Sequence, residues 1–328
     1  MSSFHLSLFY VRKEYFDWGN ITEEEVIDWW DLWRKQDTYI VLQKEQEVIT
    51  KGVDGTEFTD YKVVTKAIKC AKRGNDVYFF RVRNRLDQLL QICKGDYQLI
   101  WKDEDGYYTQ FLYLTLTYDT KRCSIREAWE QIGKEWNRFL SYLKKKFGVI
   151  SVIRTWESFE NGYPHIHAII YFFETAFRVI KYKRKRFTEW RLYDKKLKEM
   201  INRGWHSFID IQAIENTKRL QYIFKYILKE LKNNNREQQK QKRTLTMMWL
   251  FRKQSFSISN DFITELASYT HSNIVSDSER LDLIMHNSNS STKWEFIGIF
   301  TAEELGVKDT NKFTIIFKTI PDIVLKPV

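Results

Sequence analysis

The chain has 328 residues, 43% of them apolar and 16% aromatic, with only 12 Gly and 3 Pro; it can bury sizeable cores and is neither collagen-like nor linker-dominated. A formal charge of +10 accompanies 29% charged residues, and the abundant aromatics exclude general disorder. No apolar stretch is long enough to span a membrane, the first residues lack a secretory apolar segment, and Cys70, Cys93 and Cys123 make no CxxC pair, so the expectation is a cytoplasmic protein in a reducing compartment, without a disulfide framework or a cysteine zinc site.

In chain order, residues 1–108 read as an accessory α+β region. Thr22 and Glu25 form a capping box before the apolar stripe Val26, Trp29, Trp30 and Trp33, which predicts a helix; the stretch from there to Gly106 is mixed and strand-prone. Residues 109–232 form a core that is easier to read. Phe111 to Thr117 alternates as a strand, and Ser124 with Glu127 caps a helix whose stripe, Ile125, Trp129, Ile132, Trp136, Leu140 and Leu143, runs to Gly148. Two strands, Val149 to Glu157 and His165 to Phe173, are joined through Asn161-Gly162, a strong hairpin signal. A helix is expected from Thr188 to Arg203, a strand from Ser207 to Ala213, and a helix from Asn216 to Lys232. The order βαββαβα predicts an α+β fold with a mainly antiparallel central sheet and helices packed on it. The polar run Lys232 to Lys240 reads as a linker into a C-terminal accessory region, 233–328, where Trp294 to Ile299 and Phe313 to Phe317 look like strands.

The positive charge is concentrated in the core. Between Thr109 and Lys232 stand 25 Lys and Arg against 13 Asp and Glu, which leaves the rest of the chain, 28 against 30, close to neutral. Lys181, Lys183, Arg184, Lys185 and Arg186 put five cations in six residues around Tyr182, a strip suited to DNA backbone because each neutralised phosphate releases counterions. A solvated surface loop would carry the same composition.

His165-Ile166-His167 on a strand sends both imidazoles to one face. With the turn centred on Asn161, Glu157 falls opposite His165 and adds a carboxylate to that face, whereas Glu160 falls in the turn. Two imidazoles and a carboxylate leave open coordination positions, as a catalytic metal requires. In the last core helix, Leu220, Ile223, Phe224, Ile227, Leu228 and Leu231 cover one face. Tyr222 and Tyr226 stand one turn apart on roughly the opposite side, with Lys225 and Lys229 beside them. A phenol among cations and near a metal-bound phosphate suits a nucleophile. The residues by themselves leave three readings open: a metal-dependent tyrosine nuclease, a non-catalytic nucleic-acid-binding module with its histidines buried in the sheet, and a zinc hydrolase or iron oxygenase triad that leaves the tyrosines and the basic excess unexplained.

From about Phe111 to Lys232 the chain resembles the HUH endonucleases, and more narrowly the rolling-circle replication initiators (Rep proteins) of plasmids and viruses. Three motifs in the family's order carry the resemblance: the strand Phe111-Leu-Tyr-Leu-Thr-Leu-Thr117, the segment Gly162-Tyr-Pro-His165-Ile-His167-Ala-Ile-Ile170, and Tyr222-x-x-Lys225-Tyr226-x-x-Lys229. The resemblance implies an HUH-type, ferredoxin/RRM-like core. It also implies a Mn²⁺- or Mg²⁺-dependent nick in single-stranded origin DNA by attack of Tyr226, which keeps a 5′-phosphotyrosine link and frees a 3′-OH for a polymerase. Tyr222 corresponds to the second tyrosine of two-tyrosine members, and Lys229 and Lys225 flank the pair. Conjugative relaxases usually add a third histidine, which Ile169 to Tyr171 do not supply, and related transposases are usually shorter, so both rank behind the initiator. No Gly-x-x-x-x-Gly-Lys-[Ser/Thr] occurs, so a host or separately encoded helicase is expected to open the duplex.

Overall fold

The computed structural model describes residues 22–51, 53, 55–183, 188–221, 235–270, 293–317 and 321. Its first half runs α1 (Glu23–Lys35), β1 (Thr38–Lys51), β2 (Glu57–Lys69), α2 (Asp76–Ile92), β3 (Ile100–Asp103), β4 (Gly106–Thr109), β5 (Phe111–Leu116), α3 (Ile125–Phe147), β6 (Ile150–Ser158) and β7 (Pro164–Phe172). The second half runs β8 (Phe177–Lys183), β9 (Thr188–Leu192), α4 (Lys195–Arg203), β10 (Ile209–Ala213), α5 (Asn235–Leu250), β11 (Phe256–Ile258), α6 (Phe262–Tyr269), β12 (Glu295–Thr301) and β13 (Thr314–Phe317). These elements gather into two units, Met1–Trp30 with Arg83–Ile274 and Asp31–Val82 with Val275–Val328. Among the described residues, no helix is long and apolar enough to cross a membrane.

The first unit is built on a nine-stranded antiparallel sheet in the order β11-β6-β7-β5-β10-β9-β8-β4-β3. Alternation gives it two unlike faces. Leu112, Leu114 and Leu116 of β5 and Ile166, Ala168 and Ile170 of β7 are fully buried on one face, each large side chain contributing about 1.5–3 kcal/mol. On that face lies α3, whose Phe147 meets Phe172 edge-on with ring centroids 5.6 Å apart. The start of α3 is set by its sequence: Ser124 accepts from the Glu127 amide while the Glu127 side chain accepts from the Ser124 amide, the expected capping box. Trp129 then ties the helix to the β6–β7 connection by donating Nε1–H to the Gly162 carbonyl at 2.9 Å. Gly162 has φ +85°, a left-handed conformation that glycine adopts without a Cβ penalty. It closes the turn by donating to the Phe159 carbonyl.

The expected helix from Thr188 to Arg203 is corrected in its first third: Thr188–Leu192 is β9, and α4 begins only at Lys195. In the strand, Trp190 turns to the buried side while Glu189 and Arg191 point the other way, where the Arg191 guanidinium pairs with both Glu189 and Asp210. Asp194 starts the helix by accepting from the amides of Lys196 and Leu197. The core therefore reads βαββ, an added β8–β9 hairpin, then αβ and the first described turn, 217–221, of the next helix. The run expected as a linker is helical from Asn235; its Arg, Glu, Gln and Lys are good helix formers, and polarity alone did not reveal this.

In the second unit the strand order is β12-β1-β2-β13, again antiparallel. Tyr39, Val41, Ala67 and Leu305 form its buried core, with Phe300 and Phe317 packed against them. The buried Lys69 ammonium pairs with Asp37 at 2.9 Å and Asp76 at 3.0 Å.

Candidate metal and nuclease site

The face of the nine-stranded sheet opposite α3 is polar where β6, β7, β5 and β10 meet. Register pairs Glu157 with His165 and Thr155 with His167 across β6–β7, then His167 with Thr115 across β7–β5, and Thr115 with Asp210 across β5–β10. Alternation puts all of these side chains, and Tyr113 with its partner Gln212, on one surface. The hairpin arithmetic that set Glu157 opposite His165 matches this register.

His167 is the hub. Its Nε2 is 2.8 Å from Glu157 Oε2, and its Nδ1 is 2.8 Å from the Tyr113 hydroxyl, with Thr115 Oγ1 further off at 3.4 Å. The Tyr113 and His167 rings are nearly parallel, 6° apart in plane. The His167 and Glu157 side chains are only 8% and 13% exposed, so both groups are held with little water around them. One proton lies between Nε2 and the carboxylate, and a divalent cation would take its place. A separation of 2.8 Å is close to the ~3 Å between neighbouring ligands of a cation bound at about 2.1 Å. The imidazole and carboxylate donor set fits Mn²⁺, and less selectively Mg²⁺. Tyr113 would then be the outer partner that fixes the imidazole tautomer, presenting the Nε2 lone pair to the cation.

His165 shares the face but stands apart from this pair. Its ring lies 6.4 Å from that of His167, 14° from parallel, with Phe159 edge-on against it, and it is 1% exposed. Among the described residues, no group of three His, Cys, Asp or Glu side chains is gathered closely enough to hold a metal ion. The structure thus brings together two of the three expected ligands. Tyr222, Lys225, Tyr226 and Lys229 lie outside the described residues, as do Arg184, Lys185 and Arg186. Lys181 and Lys183 are exposed on β8, Lys181 with its ammonium 5.6 Å from the Trp190 ring centroid.

Two features of this face escape a reading of the sequence. Tyr113 sits inside the first motif, yet its contact with His167 depends on the pairing of β5 with β7, strands separated by α3 and β6. The row Gln212, Asp210, Arg191 and Glu189 extends the polar surface away from His167: Gln212 donates to Asp210 at 2.7 Å, and Asp210 pairs with Arg191. Alternation in Ser207 to Ala213 hints at the first two, but Arg191 and Glu189 join only because β9 is a strand.

Comparison with known proteins bears on this segment alone. No curated protein and no solved structure matches the chain. Residues 111–231 match the family of the replication-associated protein ORF2/gene 2 protein, a segment that contains Tyr113, Glu157, both histidines and both tyrosines of the third motif. The chain therefore carries, over residues 111–231 and not over its whole length, a Rep-like domain of the HUH superfamily.

Proposed function

We propose that the chain is a replication initiator of a plasmid or virus that nicks one strand of its origin, with residues 109–232 as the endonuclease core. The observation that carries the reading is the convergence of His167 Nε2 and Glu157 Oε2, 2.8 Å apart, within the Rep-like segment. The strand order β6-β7-β5-β10, with α3 between the first and second strands of the core in sequence, supports a ferredoxin-like arrangement of that core.

His167 and Glu157, with His165 on the same face, would hold a Mn²⁺ or Mg²⁺ ion, which polarises a phosphate bound beside it. Tyr113 keeps the His167 ring oriented. The Tyr226 phenol attacks phosphorus; the bond from phosphorus to the 3′ oxygen breaks, the phenolic proton passes in net terms to that oxygen, and the 5′ end stays on the tyrosine. Lys229 and Lys225 favour phenolate and contact backbone phosphate. Tyr222 attacks a regenerated junction in a later round, which rejoins strands. The strip from Lys181 to Arg186 binds the DNA backbone, and the helicase and polymerase are supplied by the host or by other genes, in the host cytoplasm.

Mass spectrometry of the chain after incubation with single-stranded origin DNA and Mn²⁺ tests this. A nucleotide adduct on Tyr226, absent from His167→Ala, is expected. The rival reading is a non-catalytic nucleic-acid-binding module, favoured by the engagement of both His167 nitrogens within the protein. A shifted oligonucleotide with no cleavage and no adduct on any tyrosine would establish it.

A further inference from the structure

The four-stranded sheet of the second unit has a second face, opposite the Tyr39, Val41, Ala67 and Leu305 core. Phe296, Ile299 and Ile316 are 60%, 47% and 68% exposed there. Register sets them beside Leu42, Ile40 and Lys66 in turn. Trp294 stands just ahead of β12, and two ammonium groups lie over its indole, Lys66 Nζ at 3.7 Å and Lys44 Nζ at 5.2 Å from the ring centroid. Burial, and then the neighbouring Lys44 charge, hold the Lys66 amine below the ordinary lysine range.

The charge on this face has one sign. The cross-strand pairs Ile40–Ile68, Leu42–Lys66, Lys44–Val64 and Gln46–Lys62 contain three lysines and no carboxylate; the first, Asp60, comes one pair further out, opposite Val48. A second copy of the sheet would set lysines against lysines, which disfavours it as the occupant. An unpaired nucleic-acid strand offers what the face lacks: flat bases for exposed aromatic rings and phosphates for crowded ammonium groups. A duplex offers the phosphates but keeps its base faces stacked inside.

We propose that this open face binds single-stranded nucleic acid, with bases stacked on Trp294 and Phe296 and phosphates held by Lys44, Lys62 and Lys66. The site lies outside residues 111–231 and does not depend on the nicking reading.

The test uses the full chain and a labelled oligothymidylate, followed by fluorescence anisotropy between about 50 and 200 mM salt. Lys44→Gln with Lys66→Gln should lower the slope of log affinity against log salt by about 1.4, two single-strand contacts at ~0.7 each. Phe296→Ala, at an exposed position that leaves the core intact, should weaken binding about tenfold, the loss of one stacked base. Photocrosslinking with a bromodeoxyuridine strand should label the peptide that carries Trp294 and Phe296. The proposal is overturned by an unchanged slope and affinity in well-folded variants, by crosslinks confined to the first unit, or by an equal preference for duplex. A concentration-dependent dimer that Phe296→Ala abolishes without touching DNA binding would assign the face to a second copy and overturn it too.

Discussion

Replacing Tyr113 by Phe removes one oxygen and keeps the ring that lies parallel to His167, 6.1 Å away between centroids. That oxygen is 2.8 Å from Nδ1, and the nearest substitute, Thr115 Oγ1, stands at 3.4 Å, beyond the range of a good bond. With His167 only 6% exposed, water does not readily take over, and losing the partner costs about 1–3 kcal/mol. The effect on a bound cation is reached by a separate route: an outer partner that orients a ligating imidazole is worth about 10–100-fold in metal affinity, or roughly 1.4–2.7 kcal/mol. The two ranges coincide, so Tyr113→Phe should weaken Mn²⁺ binding by about 10–100-fold in isothermal titration calorimetry. Tyr163→Phe is the control. Its hydroxyl donates to the Cys123 carbonyl at 2.7 Å and the Thr120 carbonyl at 3.2 Å, ties that pin the β6–β7 connection to the start of α3, and its loss should leave Mn²⁺ affinity unchanged. If Tyr113→Phe binds Mn²⁺ as the wild type does while His167→Ala loses it, Tyr113 does not orient the imidazole and the reasoning fails.

Tyr226→Phe should abolish the initial nick, because only the nucleophilic oxygen is lost, whereas Tyr222→Phe should nick normally and fail at rejoining; full joining by Tyr222→Phe in an oligonucleotide nicking-joining assay would remove its assigned role. Neutralising Lys181 and Lys183 should weaken binding to all sequences alike and lower the salt slope by ~0.7 for each lost single-strand contact, and a change confined to sequence preference would mean that the strip reads bases. Lys72 is buried with its ammonium donating to the carbonyls of Trp33 and Gln36, and burial pushes its amine from the usual 10.5 down to about 8. The folded value lies below the unfolded one, so the unfolded chain binds more protons across that window and stability rises with pH through it. Urea midpoints should therefore increase from about pH 8 to 10 more in the wild type than in Lys72→Met, and a constant difference would refute the assignment. Gly162→Ala places a Cβ 3.2 Å from Ile125 Cδ1 at φ +85°, which should cost about 1–2 kcal/mol in denaturant unfolding.

What could be read from the sequence was local or periodic. Once Asn161-Gly162 marks the turn, the partner of His165 is a matter of counting, and Glu157 is found; the capping boxes at Thr22 and Ser124 are four-residue signals and both form. The Tyr113–His167 contact is of another kind. It depends on which strand lies beside β7, a decision made by the packing of α3 on the opposite face. Thr188-Glu-Trp-Arg-Leu192 is short enough to suit either helix or strand, and what selects the strand is Arg191 reaching Asp210 on β10, a partner no local pattern announces. In α2 the aromatic and β-branched residues from Val77 to Val82 suggest a strand, while the later stripe of Leu86, Leu89 and Ile92, all buried, makes the helix. Asn75 helps start it by accepting from the Tyr78 amide at 2.9 Å.

The order of strands in the second unit has a consequence for synthesis. β1 and β2 emerge from the ribosome early, and the strands that flank them, β12 and β13, come near the end of the chain. At ~5–20 residues per second, the interval between the end of β2 at Lys69 and the start of β12 at Glu295 is on the order of 10–45 s. Through that time both outer edges of the hairpin present unpaired amides and carbonyls to neighbouring nascent chains. The alternating charges of Lys44-Glu45-Gln46-Glu47 on β1 act as gatekeepers against such pairing. A chain terminated before Glu295 keeps those edges bare for its whole lifetime, so premature stop products of this protein are sources of aggregation even when residues 111–231 are intact.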